Sequence, residues 1–159
     1  MNISVICVGK LKESYWTEAV AEYSKRLGRY CRLDVEELKE ARLPDKASAA
    51  DEAAVKQVEG RSILGRLKKG DYVIALEVSG KTLSSEALAE KLGALSMESH
   101  SRIVFVIGGS LGLSAEVRSR SDLQLSFSQM TFPHQMMRAI LLEQIYRSFK
   151  ILKKETYHK

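Results

Sequence analysis

The chain has 159 residues, of which 45% are hydrophobic and 28% charged, and this balance is typical of one globular domain with a single core. No apolar run approaches about 18 residues, and the apolar N-terminus lacks a basic flank and a small-residue cleavage site, so we expect a cytoplasmic protein with no membrane segment. The formal net charge of +5 fits a polyanionic partner such as RNA, but it also fits an ordinary basic surface. Cys7 and Cys31 form no CxxC pair, and a zinc site is therefore not expected.

Strand-like and helix-like runs alternate along the whole chain. The predicted strands are Ile3–Val8, Cys31–Leu38, Tyr72–Glu77, Arg102–Ile107 and Leu123–Phe127. The predicted helices are Tyr15–Leu27 after a Ser14 cap, 49–67 after a Ser48 cap, 85–97 after a Ser84 cap, Ala115–Arg120 and Pro133–Leu152. This alternation predicts an α/β fold in one domain over residues 1–159, with a mostly parallel sheet of five to six strands and helices on both faces.

A glycine-rich stretch, Gly108-Gly109-Ser110-Leu111-Gly112, comes directly after the predicted fourth strand. Ligands bind at the carboxyl ends of parallel strands, and glycines let a backbone approach a ligand closely. The stretch is neither a dinucleotide fingerprint nor a P-loop, because the GxGxxG spacing and a following GK[ST] are absent. It is therefore either a ligand-binding turn or a tight turn that binds nothing.

The segment from Phe127 to Gln135 is a semi-apolar loop that leads into the last helix. Its methionine and phenylalanine side chains are suited to sandwiching a flat adenine ring, although packing against the core explains them equally well. Pro133 fits the first turn of a helix, where its missing N–H costs nothing.

The last helix is apolar on two sides. The wide side carries Met137, Leu141, Leu142, Ile145, Phe149 and Leu152, and the other side carries Met136, Ile140 and Ile151. Such a helix must be covered on both sides, and this predicts an isologous homodimer. Arg138 falls within the wide apolar arc, where its charge needs either a paired carboxylate or a ligand. The tail that follows, with Tyr157 and His158, is either solvated or able to stack on a base and relay a proton.

Taken together, four stretches resemble the bacterial large-subunit rRNA pseudouridine N3-methyltransferases of the SPOUT class. They are Val104–Ser110, Leu125–Gln135, Glu143–Arg147 and Tyr157-His158, and the resemblance extends from Gly9–Lys12 to the end of the chain. The tail of that family usually reads basic-Gly-Glu-Pro-Tyr-His, whereas here Lys154 and Thr156 replace the Gly and the Pro.

The resemblance implies a trefoil knot near the C-terminus and S-adenosylmethionine bound in it. It also implies a homodimer that methylates N3 of a pseudouridine in the helix-69 loop of 23S rRNA, within the assembled 70S ribosome. By position, the residues that would hold the methyl donor are Leu76, Gly108, Phe127, Ser128, Gln129, Met130, Thr131 and Phe132.

Methyl transfer to N3 requires removal of one proton, and a positioned base contributes about 10²–10⁴-fold. We expect His158 or Tyr157, from the same or the neighbouring subunit, to serve that step. We expect Arg138 or another basic residue to steady the developing anion or the RNA backbone. The chemistry requires no metal. The candidates for RNA phosphate contacts are Lys10, Lys12, Arg29, Lys150, Lys153 and Lys154.

Three alternatives remain open from the sequence. A SPOUT enzyme that modifies tRNA would share the fold and the chemistry. An RNA-binding protein could keep the pocket without catalysing a reaction. A flavodoxin-like or nucleotide-binding regulator would share only the general architecture.

Overall fold

The structure, a computed structural model, describes residues 1–159. Five strands alternate with five helices in chain order, as predicted. They are β1 (Asn2–Val8), α1 (Ser14–Leu27), β2 (Arg32–Leu38), α2 (Ala49–Leu64), β3 (Asp71–Thr82), α3 (Ser85–Met97), β4 (Arg102–Ile107), α4 (Ala115–Arg120), β5 (Leu123–Ser126) and α5 (His134–Leu152). No helix is long and apolar enough to cross a membrane.

The strands form one sheet in the order β2-β1-β4-β3-β5, and every pair of neighbours is parallel. The predicted α/β class and parallel sheet are confirmed, with five strands. β1 and β4 lie in the middle of the sheet, where Ile3 pairs with Ile103 and Val5 with Phe105. The trefoil knot that the resemblance implies stays a prediction.

Helices cover both faces of the sheet, as predicted. The larger core joins one face of the sheet to α1, α3 and α5, and Phe105, Leu92 and Leu142 are buried within it. The smaller core joins the opposite face to α2 and α4 through Ile63 and Val117. Strands covered on both faces bury nearly all their side chains, which explains the continuous apolar runs of β1 and β4.

Serine caps start three of the helices. The Oγ atoms of Ser48, Ser84 and Ser114 accept hydrogen bonds from backbone amides three residues further on, and Ser48 also forms a capping box with Asp51. The predicted Ser14 cap is wrong, because Glu13 occupies the cap position without a side-chain bond and Ser14 is the first helical residue.

Strand β3 is longer than predicted. It was expected to end at Glu77, but it continues to Thr82, with a register irregularity against β5 between Leu76 and Lys81. Gly80 permits the rejoining, because a Cβ there would lie 2.7 Å from the carbonyl carbon of Gln124. Leu76 therefore lies at an interruption inside β3 rather than at its end, and the residues that follow it leave the regular ladder.

Candidate functional site

A pocket of about 150 Å³ opens at the carboxyl edge of β3, β4 and β5. Seven of the eight residues expected to hold a methyl donor line it, namely Leu76, Gly108, Phe127, Ser128, Met130, Thr131 and Phe132. This is the edge at which parallel sheets bind ligands. The resemblance and the sheet topology thus point to the same pocket.

Gln129 is the one expected residue that does not line this pocket. It faces a separate shallow cleft, beside Ser79 and Gly80. The Ser128 Oγ accepts a hydrogen bond from the Met130 amide at 3.0 Å, which closes a tight turn around Gln129. This turn accounts for Gln129 pointing away while both of its neighbours line the pocket.

The glycine-rich stretch forms a backbone wall of the pocket. A Cβ at Gly108 would lie 2.9 Å from the Leu113 Cδ2 and 3.0 Å from the carbonyl carbon of Gly112. The turn therefore excludes any side chain at Gly108 and leaves its backbone next to the cavity. Gly109 also lines the pocket and backs onto the carboxylate of the buried Glu59.

The other walls are mostly apolar. Leu76, Ile107 and Leu125 form the floor, where β4 and β5 end and the regular pairing of β3 with β5 is interrupted. Met137 contributes from the first turn of α5. Met130 lies at the pocket with 72% of its surface exposed. An apolar slot of this kind, with few polar groups, is suited to a flat heterocycle.

Two polar side chains in the pocket were missed from the sequence. Glu77 lies beside Leu76, and its buried Oε1 atom has no hydrogen-bond partner, with the Arg118 Nε atom 3.8 Å away. Burial raises the pKa of the Glu77 carboxyl. Glu77 was recognisable only as the last residue of the predicted third strand. That its Oε1 atom lacks a hydrogen-bond partner is known only from the structure, where Glu77 lies in the irregular part of β3.

His134 is the second of these side chains. Its Nδ1 atom is buried without a hydrogen-bond partner, and a Cβ at Gly9 would lie 3.3 Å from its Cε1. Burial lowers the pKa of His134, and the neighbouring Arg138 charge acts in the same direction. His134 is therefore a neutral imidazole at physiological pH. The motif Phe132-Pro133-His134 was the signal that could have identified it.

Arg138 does not line the pocket. Its side chain is 1% exposed, and its Nη1 donates to Glu37 Oε2 at 2.6 Å. Its Nη2 donates to the carbonyl oxygens of Val8 and Gly9. The guanidinium thus joins α5 to the ends of β1 and β2. This geometry corresponds to the paired-carboxylate interpretation rather than to a ligand role.

Tyr157 and His158 do not line the pocket of their own chain. The tail folds back on α5, where the Tyr157 hydroxyl donates to Glu143 at 2.9 Å. The two ring nitrogens of His158 contact the Arg147 Nη1 at 3.1 Å and Glu86 at 2.7 Å. Arg147 lies ten residues beyond Met137, which is about 15 Å along the helix axis. The two expected catalytic residues and the pocket are therefore separated within one chain.

The six basic candidates fall into separate places. The Lys12 amide donates to Gln135 at 2.7 Å, so the Lys10–Lys12 segment lies near the pocket end of α5. Arg29, Lys150 and Lys153 line one groove at the other end of that helix, and Lys154 lies outside it. No group of three or more His, Cys, Asp or Glu side chains is placed to hold a metal ion.

Comparison with known proteins identifies the family. The family model described as "Predicted SPOUT methyltransferase" matches residues 1–158. The chain belongs to the SPOUT methyltransferase family. Two relatives, each named "Ribosomal RNA large subunit methyltransferase H", align over the full length of both chains, with 58% identity for the Clostridium novyi protein and 54% for the Alkaliphilus oremlandii protein.

A solved structure shares the fold of this SPOUT methyltransferase. It is a probable methylase family protein from Haemophilus influenzae Rd KW20, with a TM-score of 0.54 and 12% sequence identity. The alignment covers 99% of this chain and 70% of that one. At this identity the similarity concerns the fold alone.

Proposed function

We propose that this SPOUT methyltransferase is a homodimeric ribosomal RNA methyltransferase of the cytoplasm that uses S-adenosylmethionine and acts on N3 of a pseudouridine in the helix-69 loop of 23S rRNA. The full-length relatives carry the name of a large-subunit rRNA methyltransferase. The observation that carries the proposal is the pocket itself, where seven of the residues expected from the family resemblance meet at one sheet edge.

The pocket fits a methyl donor of this type. Its apolar walls suit an adenine ring, and the backbone of Gly108 lines the cavity where a ligand can contact it. Glu77 and His134 each bring a buried polar atom without a partner, and such an atom is costly unless a ligand satisfies it. The Glu77 carboxylate can accept hydrogen bonds from hydroxyl or ammonium groups. When bound, the donor supplies an electrophilic methyl group.

Of the two tail residues, His158 is the better proton acceptor. Burial, followed by the hydrogen bond to Glu143, raises the pKa of Tyr157 above its usual value, so its phenol stays protonated at neutral pH and donates. Arg147 can only donate, so the His158 Nδ1 atom accepts from it and Nε2–H donates to Glu86. The nitrogen that can accept a proton is therefore Nδ1, and His158 must leave Arg147 before it takes the N3 proton.

The separation of tail and pocket supports a dimer in which each subunit supplies half of the site. Within one chain the tail is held on α5 about 15 Å from the pocket, measured along the helix axis. Met136 and Ile140 on the second side of α5 are only partly buried within the chain. A second subunit packed there would cover these two side chains and would supply a second tail that can reach the pocket of the first subunit.

Calorimetry and methyl mapping test the proposal. We expect S-adenosylmethionine and its demethylated product to bind the purified protein. We also expect 70S ribosomes from a strain lacking the gene to accept one radiolabelled methyl group in the helix-69 loop. Free tRNA serves as the alternative substrate. Methylation of tRNA but not of ribosomes, or binding of neither donor form, would overturn the proposal.

A further inference from the structure

A basic groove lies between the C-terminal halves of α1 and α5, separate from the pocket. Five cationic side chains line this α1–α5 groove, which has a volume of about 510 Å³. They are Lys25, Arg26, Arg29, Lys150 and Lys153. Residues distant in sequence, from two helices and the turns after them, thus place like charges around one concavity.

The charges in the groove are only partly neutralised. Two carboxylates line it, and each has a partner: Glu22 contacts Arg26 at 2.7 Å, and Glu155 contacts Lys150 at 2.6 Å. Five cations less two carboxylates leave a charge of +3. Lys25, Arg29 and Lys153 form no salt bridge in the chain. Such an excess, held in a concave surface, attracts a polyanion.

Two tyrosines make the groove more specific than a patch of charge. Tyr30 and Tyr146 line it, with ring centroids 5.9 Å apart. The Lys153 Nζ lies 5.8 Å from the Tyr30 ring, and the Arg26 guanidinium lies 5.8 Å from the Tyr146 ring. Cations that follow a backbone beside aromatic rings that stack on bases are the usual features of a site for unpaired nucleic acid. The rings favour a nucleic acid over free phosphate, because free phosphate has no base to stack on them.

The groove borders the tail that carries Tyr157 and His158. The Tyr157 ring packs against the Tyr146 ring at 4.9 Å, and Glu155 of the tail accepts a hydrogen bond from the Tyr30 hydroxyl at 2.5 Å. Lys150 lies 13 residues beyond Met137, about 20 Å along α5 from the pocket of the same chain. If the tail serves the pocket of the partner subunit, the groove lies beside that composite site.

From these contacts we propose that the α1–α5 groove binds the backbone of an unpaired RNA segment next to the target base, with phosphates on Arg29 and Lys153 and a base on the tyrosines. This inference rests on the proposed function, because it assigns the surface that holds the RNA substrate. It concerns the groove alone and leaves the chemistry in the pocket unchanged.

Charge reversal at Arg29 and Lys153, two of the three unpaired cations, tests the groove. In the variant Arg29→Glu/Lys153→Glu we expect the KM for ribosomes to rise on the order of tenfold, while kcat stays within about twofold. Binding to a fluorescent oligouridylate of about 16 nucleotides should weaken, and the slope of log K against log salt should become shallower by about 1.4 for two lost phosphate contacts.

The matched control is Arg42→Glu/Lys46→Glu, which makes the same charge change on exposed residues of the loop between β2 and α2. We expect it to leave KM and the salt slope near their original values. Arg29→Ala/Lys153→Ala, checked by thermal unfolding, should show a smaller rise in KM and thereby separates lost contacts from added repulsion.

Several outcomes would overturn the groove assignment. One is an unchanged KM and salt slope in the reversal variant. A second is an equal loss in the control, which would indicate only general attraction. A third is a change in sedimentation of the reversal variant, because the groove would then be a contact between subunits. Donor binding by calorimetry keeps this test separate from the proposed function: a protein that binds the donor and methylates ribosomes, yet fails these tests, refutes only the groove.

Discussion

Arg138 is the largest side chain that the fold buries completely. Its guanidinium holds Glu37 and two carbonyl oxygens at the end of β1, and Glu37 also accepts a hydrogen bond from the Leu11 amide at 2.9 Å. Removal of such a group leaves several polar atoms buried without partners, which costs more than the ion pair contributes. Arg138 therefore positions the start of α5, and with it His134 and Met137 in the pocket.

The variant Arg138→Met tests that role. We expect the free energy of unfolding to fall by about 3 kcal/mol, which is the lower limit of the loss usual when a buried ion pair is broken. The loss is small for such a pair because Glu37 is partly exposed and regains contact with water. Urea denaturation measures the change. The exposed Arg42→Met is the control and should stay within about 0.5 kcal/mol. A variant of unchanged stability that has lost methyl transfer would instead assign Arg138 to the reaction.

The sequence predicted which residues line the pocket better than it predicted which of their polar atoms lack hydrogen-bond partners. Leu76, Gly108 and most of the Phe127–Phe132 loop followed from the family resemblance. The functional interest of Glu77 and His134 depends on buried atoms without partners, and these arise only when distant segments meet. The sequence did not separate Gln129 from its neighbours that line the pocket, because a contiguous motif gives no information on which side chains a tight turn directs outward.

Helix α5 ends in a Schellman motif. The Lys154 amide donates to the Ile151 carbonyl at 3.0 Å, and the Glu155 amide donates to the Lys150 carbonyl at 2.9 Å. Lys154 holds the left-handed position with φ 52°, the only non-glycine residue in the chain with a positive φ. The family tail usually carries glycine there, and the structure supplies the physical reason for that preference.

Lys154→Gly should therefore stabilise the protein. The left-handed conformation costs a residue with a Cβ about 1–2 kcal/mol, and glycine lacks this strain. The greater freedom that glycine gives the unfolded chain offsets part of the gain. We expect a net gain of about 1 kcal/mol, seen as a rise of about 2–4 °C in Tm. Lys154→Ala removes the charge but keeps the Cβ, so it should show no such rise. An equal gain in both variants would indicate relief of charge repulsion instead.

Local signals predicted the starts of α2 and α3, but they did not predict the end of β3. Ser48 and Ser84 cap their helices through amides three residues away, so the sequence alone specifies them. The extension of β3 to Thr82 depends on pairing with β5, more than 40 residues further along the chain. No local pattern carries that contact, and the predicted strand therefore ended too early.

At the scale of the whole molecule, the alternation of elements predicted a parallel sheet but not its strand order. The order β2-β1-β4-β3-β5 brings the ends of β3, β4 and β5 together and so forms the pocket. The path of the tail could not be predicted from the sequence either. It depends on contacts of Tyr157 and His158 with side chains on two helices, namely Glu143, Arg147 and Glu86. Only the three-dimensional structure therefore shows that the pocket and the tail lie apart within one chain.

Mixed dimers test the proposed homodimer and whether its pocket and tail act across subunits. Thr131→Trp fills the mouth of the pocket at an exposed position and should abolish donor binding, whereas His158→Ala removes the proposed base. Each variant alone should be nearly inactive in single-turnover methylation of ribosomes. When the two are unfolded and refolded together in equal amounts, half of the dimers are mixed, and each mixed dimer has one intact pocket facing one intact tail.

We therefore expect the mixture to recover about a quarter of the wild-type activity per site. A site built within one chain predicts a different result, since every intact pocket would then be joined to its own defective tail and mixing would restore nothing. Refolded wild-type protein corrects for losses on refolding, and sedimentation confirms that dimers have re-formed. Recovery therefore requires that the tail of one subunit reach the pocket of the other, because no other arrangement brings an intact His158 to an open pocket.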